Sequence, residues 1–152
     1  CSFIDRQENI IVTGCTGTGK SFLATALGYQ CCIKGYKVLY FNLGKLFAKL
    51  LMAKADGSYM RELSRIENCD LLIIDDFGLQ AINNEKQLIL MDLIEDRHHK
   101  KSTIFCSQLP VKNWYDLIEE KTIADAILDR IIHSAIRFEL KGESMRKKMK
   151  NN

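Results

Sequence analysis

Residues 14–21 read Gly-Cys-Thr-Gly-Thr-Gly-Lys-Ser, set between the apolar run Ile10-Ile11-Val12 and the helix-compatible stretch Phe22-Leu23-Ala24-Thr25-Ala26-Leu27. No other feature restricts the chain so strongly. In the pattern G-x-x-x-x-G-K-[ST], a strand running into glycines turns several backbone N–H groups into one concavity, and the following helix N-terminus adds partial positive charge. Gly14, Gly17 and Gly19 let the backbone approach phosphate without a Cβ clash, and Cys15, Thr16 and Thr18 complete the cradle. Lys20 is expected at the β- and γ-phosphates of ATP, and the Ser21 hydroxyl at Mg²⁺. The alternative, a glycine-rich turn with no ligand, leaves unexplained why every fixed position and both flanks match.

Apolar periodicity extends the argument to the whole chain. Asn9 to Thr13, Val38 to Asn42, Leu71 to Asp75, Thr103 to Ser107 and Ala135 to Leu140 read as five strands. Lys20 to Ile33, Leu43 to Ala55, Glu85 to His99 and Ile123 to Ile132 carry helical spacing; Leu43, Leu46, Phe47, Leu50 and Leu51 follow it without a miss. Such alternation predicts an α/β fold of the P-loop NTPase kind, a five-stranded parallel sheet with helices on both faces. The phosphate site then lies at the carboxyl ends of the strands. Lys34-Gly35, Ala55-Asp56-Gly57-Ser58 and Gln108-Leu109-Pro110 supply the breaks.

A length of 152 residues and a 47% apolar composition suit one domain with a real core, residues 1–152. Few residues precede the first strand and few follow the last, so an excised core of a longer protein is expected. No apolar run reaches membrane-span length and no signal-peptide pattern opens the chain, which leads to the expectation of a soluble, cytoplasmic protein without a membrane partner. None of the six cysteines has Cys-x-x-Cys spacing, and Cys15, Cys31, Cys32, Cys69 and Cys106 lie mostly in apolar segments, so buried reduced thiols are expected. His98-His99 and His133 look too scattered for a metal site, the pair reading as a solvated helix end. A net charge of +3 does not argue for nucleic acid, but basic residues concentrate in 141–150, where a solvated tail and a phosphate-contacting one are both open.

Leu71-Leu72-Ile73-Ile74 reads as a buried strand, and it ends in Asp75-Asp76. Asp75 would hold the metal, directly or through its waters, and Asp76 would orient or deprotonate an attacking water. Paired acids also occur as plain strand caps; the phosphate loop upstream favours the catalytic reading.

At this point the chain resembles a known family. The phosphate loop, Ala26-Leu27-Gly28-Tyr29, Lys34-Gly35-Tyr36, Leu71 to Gly78, Ser107-Gln108-Leu109-Pro110 with Trp114, Leu128-Asp129-Arg130-Ile131 and Lys141-Gly142-Glu143-Ser144-Met145-Arg146 together resemble the IstB/DnaC-like AAA+ ATPases. They are most similar to the IstB branch, ATP-dependent helpers of insertion-sequence transposition. The resemblance covers nearly the whole chain and implies an AAA+ core. It implies a glutamate after the metal-holding aspartate, where this chain has the shorter Asp76, and a γ-phosphate sensor at Ser107 or Gln108, between which the sequence does not choose. It further implies that Arg130 reaches a neighbouring subunit's nucleotide and that Arg146 is a second sensor. An ion pair with Asp129 or Asp125 is the plain alternative for Arg130.

From the same resemblance follow ATP- and DNA-dependent homo-oligomers on double-stranded DNA, with a transposase as partner. The segment 45–65 occupies the place of DNA-contacting helical structure, with Lys45, Lys49 and Arg61 as leading contacts beside Lys54 and Arg65; helix solubility explains the same charges equally plainly. Trp114 and Tyr115 suit base stacking or, more plainly, core packing. The leading expectation is a Mg²⁺-dependent ATP hydrolase that regulates a transposase. A replicative helicase loader shares the same motor; a nucleotide-gated module without efficient turnover fits Asp76. A small-molecule kinase would need an arginine-rich lid and an acceptor pocket, neither of which the sequence offers.

Overall fold

The computed structural model describes residues 1–141 of the chain. Five strands, β1 (Asn9–Gly14), β2 (Val38–Asn42), β3 (Leu71–Asp75), β4 (Ser102–Ser107) and β5 (Ala135–Leu140), form one sheet in the order β2-β3-β4-β1-β5. Every neighbouring pair is parallel. Each crossover is helical: α2 (Lys20–Ile33), α3 (Leu43–Asp56) with α4 (Tyr59–Glu67), α5 (Asn84–Arg97) and α6 (Lys121–Ile132). A short α1 (Ser2–Asp5) precedes β1, and two 3₁₀ turns, Val111–Asn113 and Tyr115–Leu117, lie between β4 and α6.

Alternation along the strands divides the core. Ile10, Val12, Leu71, Ile73, Ile104 and Cys106 face α1 and α2, whereas Ile11, Leu72, Ile74 and Phe105 face the layer of α3 to α6. The central strands β3 and β4 are buried along their whole lengths, which is why their sequences show no polar alternation.

The five expected strands and four long helices are present, with ends shifted by a residue or two. Helix α5 stops at Arg97, because His98 adopts an extended backbone and His99 a left-handed one, φ 61°. Helices α1 and α4 are additions to the periodicity reading. Trp114 is fully buried, its indole N–H donating to Leu109 O at 2.8 Å and its ring 4.4 Å from Phe77, so it packs the core and offers no base platform. The six cysteines are free, as expected, but Cys15 and Cys32 are exposed rather than buried. No described helix is long and apolar enough to cross a membrane.

Candidate nucleotide-binding site

The loop after β1 is a cradle kept open by its glycines. A Cβ on Gly14 would stand 2.7 Å from Leu140 O and 2.8 Å from Thr18 Oγ1, so no larger residue fits between the loop and β5. Gly19 caps α2 in the left-handed region, φ 94°. Inside the turn, Thr18 Oγ1 donates to Cys15 O at 2.7 Å and Lys20 Nζ donates to the same carbonyl at 2.9 Å. The buried ammonium is thereby held over the loop, bonded to a neutral oxygen that an anionic phosphate can outcompete.

In the parallel sheet β3 lies two strands from β1, with β4 between them, and it ends at the same edge. That juxtaposition brings Ser21 Oγ to 2.7 Å from Asp75 Oδ2. Tyr40 on β2 donates its hydroxyl to the same carboxylate oxygen, and Asp76 N–H donates to Asp75 Oδ1 at 2.8 Å. Burial and the Asp75 carboxylate push the Tyr40 phenol far above its ordinary value, so it stays a donor. Asp76 adopts a left-handed backbone, φ 56°, unusual for a residue with a side chain. Asn42 Nδ2 donates to Asp76 Oδ2 at 2.5 Å, fixing that carboxylate from the end of β2. Neither Tyr40 nor Asn42 carries a sequence motif. Their signal is positional: Asn42 ends an apolar strand in register with Asp75.

These groups line an open cleft of about 730 Å³ that runs from Thr16 to Leu23 and includes Asp75, Asp76, Gln108 and Leu140. The two sensor candidates now separate. Ser107 is buried, its hydroxyl donating to Phe77 O and accepting from Leu109 N–H at 3.0 Å, whereas Gln108 is exposed on the cleft wall. Behind the cleft, burial and the nearby Asp75 push the Cys106 thiol up to about 12, which leaves it inert.

A hydroxyl and a carboxylate are hard oxygen donors that suit Mg²⁺, an ion usually bound by one or two protein groups together with nucleotide phosphates. Among the described residues, no three His, Cys, Asp or Glu side chains are grouped to hold a metal ion by themselves.

Arg130 lies elsewhere. It shares a concavity with Gln7, Asn9, Lys101 and Ser134, at the amino edge of the sheet, roughly 20 Å from the phosphate loop along the six residues of β1. Its guanidinium donates to Ala126 O at 3.0 Å and pairs with Glu95 at 3.7 Å, so the ion-pair partner is Glu95 rather than Asp129 or Asp125. Lys45 and Lys49 lie one turn apart on the exposed side of α3, and Arg61 is exposed on α4. Lys49 pairs with Glu62 at 3.6 Å, Arg65 pairs with the same carboxylate at 3.5 Å, and Lys54 lies over the Tyr59 ring. Arg146 lies outside the described residues.

Known proteins share this fold. The DnaC helicase loader superposes with a TM-score of 0.77 at 19% identity, over 92% of this chain and 85% of that one. The replication initiator DnaA bound to AMPPCP and single-stranded DNA gives 0.78 at 19%, over 99% of this chain and 48% of that one. At such identities the likeness shows the fold, that of P-loop AAA+ proteins. Sequence relatives are nearer. An insertion sequence ATP-binding protein of Sinorhizobium fredii is 44% identical over 95% of this chain and 59% of its own length. The insertion sequence IS21 ATP-binding protein of Pseudomonas aeruginosa is 35% identical over 98% of this chain and 56% of its own length. The chain therefore spans less than three-fifths of the length of either relative. Because the family model "IstB-like ATP binding protein" also matches residues 1–152 end to end, the chain belongs to the IstB-like family of ATP-binding proteins.

Proposed function

We propose that this chain hydrolyses ATP with Mg²⁺ in an assembly on double-stranded DNA, as the ATPase that assists a transposase. The observation carrying the proposal is the convergence of Lys20, Ser21, Asp75 and Asp76 on one cleft, with each of their side chains held by a named partner. Lys20 and the loop N–H groups bind the triphosphate; Ser21 and Asp75 hold Mg²⁺, which when bound neutralises charge on the β- and γ-phosphates. Asp76, aimed by Asn42, orients a water and accepts its proton. Gln108 is the γ-phosphate sensor by its exposure on the cleft wall, and Ser107 supports the Phe77–Leu109 backbone behind it.

Arg130 lies too far from its own subunit's cleft to assist there, which favours action on a neighbouring subunit's ATP. Lys45, Lys49 and Arg61 give α3 and α4 a phosphate-facing surface suited to duplex backbone. The transposase association rests on the insertion-sequence relatives.

ATP hydrolysis measured with and without duplex DNA tests this function. DNA-stimulated turnover without an acceptor substrate is expected. Tight ATP binding without turnover in either condition would overturn it in favour of a nucleotide-gated module.

A further inference from the structure

Three histidines, the adjacent His98 and His99 and the distant His133, meet around Arg130. The ring centroids of His98 and His99 lie 3.8 Å apart, and those of His98 and His99 lie 6.3 Å and 5.5 Å from His133. All three line the concavity that holds Arg130. The fold brings them together because β4 and β5 are the two parallel neighbours of β1, so the turns entering those strands converge at its start.

The backbone there is unusual. Of the four non-glycine residues with positive φ among those described, Gln7 (52°), His99 (61°) and Ser134 (61°) all line this concavity. The turns are pinned by Asn9, whose amide donates to Ile131 O at 3.2 Å and accepts from Thr103 N–H at 3.0 Å. Strain held by a rigid frame marks a preformed surface.

The charges facing the rings nearly cancel. Arg130 is opposed by Glu95 and Asp129, and Lys101 is held on Asp70 at 3.2 Å. Arg6 and Glu8, flanking Gln7, pair with each other. Arg97 is buried and spends its guanidinium on the carbonyls of Ile66, Glu67, Cys69 and Ser102. The sign of the surface is therefore decided by the imidazoles. Burial, followed by His99, Arg130 and His133, holds His98 below the ordinary histidine value.

We propose that His98, His99 and His133 form, with Arg130, a proton-coupled oxyanion surface that receives the triphosphate of a neighbouring copy's ATP, so that assembly takes up protons. The proposal rests on the reading of Arg130 as acting between subunits. A docked anion favours the charged imidazoles, so the added stability of the assembly is present at low pH and is lost as pH rises.

Sedimentation of the chain with ATP and duplex DNA tests it. For the wild type, the protein concentration giving half-assembly should fall roughly tenfold between about pH 8 and about pH 6. The triple variant His98→Gln, His99→Gln, His133→Gln should show less than about a twofold change over that range, with an unchanged circular dichroism spectrum and melting temperature of the unassembled chain as the check on folding. His133→Lys supplies a permanent cation and should keep assembly tight at about pH 8. A pH-independent wild type, or a triple variant with the wild-type profile, overturns the proposal. Arg130→Ala separates the two readings: normal hydrolysis by that variant removes the between-subunit role and this proposal with it. Hydrolysis lost there but a wild-type pH profile in the triple variant sinks the proton-coupled surface alone.

Discussion

Ser21 Oγ donates to Asp75 Oδ2 across 2.7 Å, joining the start of α2 to the end of β3 over 54 residues of sequence. The same carboxylate accepts from Tyr40, while Asp76 is held separately by Asn42. The two adjacent acids thus have different partners and should fail differently. Asp75→Ala is expected to weaken Mg²⁺-dependent ATP binding by roughly tenfold or more, whereas Asp76→Asn should bind ATP normally and lose about a hundredfold or more in turnover. Nucleotide titrations and single-turnover rates check this; equal binding losses in both variants would refute the division of roles.

Charge reversal on α3 and α4 should reduce DNA affinity without changing basal ATP hydrolysis. Lys45 and Arg61 form no ion pair among the described residues, so each is free to displace about one counterion from DNA. Lys49 must first leave Glu62, an exposed pair worth at most about 1 kcal/mol. Lys45→Glu and Arg61→Glu should each flatten the log-affinity against log-salt slope by roughly one unit, and a salt slope unchanged in both would contradict the assignment.

Cys15 is an exposed thiol inside the phosphate cradle, whereas Cys31, Cys69 and Cys106 are buried. Bound ATP should slow maleimide alkylation of Cys15 by roughly tenfold or more while leaving exposed Cys32, on the outer side of α2, unaffected. Peptide mass spectrometry reads both sites in one experiment. Equal Cys15 rates with and without ATP would place the nucleotide elsewhere.

Glu67, at the end of α4, carries a buried carboxylate oxygen without a hydrogen-bond partner. Burial, together with the Asp96 carboxylate, pushes its pKa from 4.5 up to about 8. The folded chain therefore holds a proton that the unfolded chain gives up, and stability falls as pH rises from 4.5 to about 8. Glu67→Gln should raise Tm by about 2–4 °C at about pH 8, the effect of roughly 1 kcal/mol in a chain of this size, and the gain should vanish near about pH 4. A gain independent of pH would show that packing, not the proton held by Glu67, is responsible.

Much of this was legible in the sequence because the sheet is parallel and buried. Apolar runs such as Leu71 to Ile74 have no polar alternation to confuse them with surface strands, and each ends in a residue that bears on the site. Helix α4, most of which falls in the segment 45–65 where the resemblance implied helical structure, escaped the periodicity reading because only Leu63 and Ile66 are buried among its nine residues. Tyr40 and Asn42 escaped for another reason: their role arises from β2 lying beside β3, a pairing that local periodicity does not encode. His98, His99 and His133 looked scattered because their meeting depends on the flanking of β1 by β4 and β5.

On the proposed function, ATP bound in one subunit's cleft is hydrolysed with the help of Arg130 from another. Mixing Lys20→Ala subunits, which keep Arg130 but bind no ATP, with Arg130→Ala subunits, which bind ATP but lack the guanidinium, tests it most directly in phosphate-release assays on duplex DNA. Each variant alone should be nearly inactive, and the mixture should recover a measurable fraction of wild-type hydrolysis as intact clefts are completed by intact arginines. A mixture no more active than its parts, or normal hydrolysis by Arg130→Ala at every protein concentration, would rule out completion of the cleft by a neighbouring subunit.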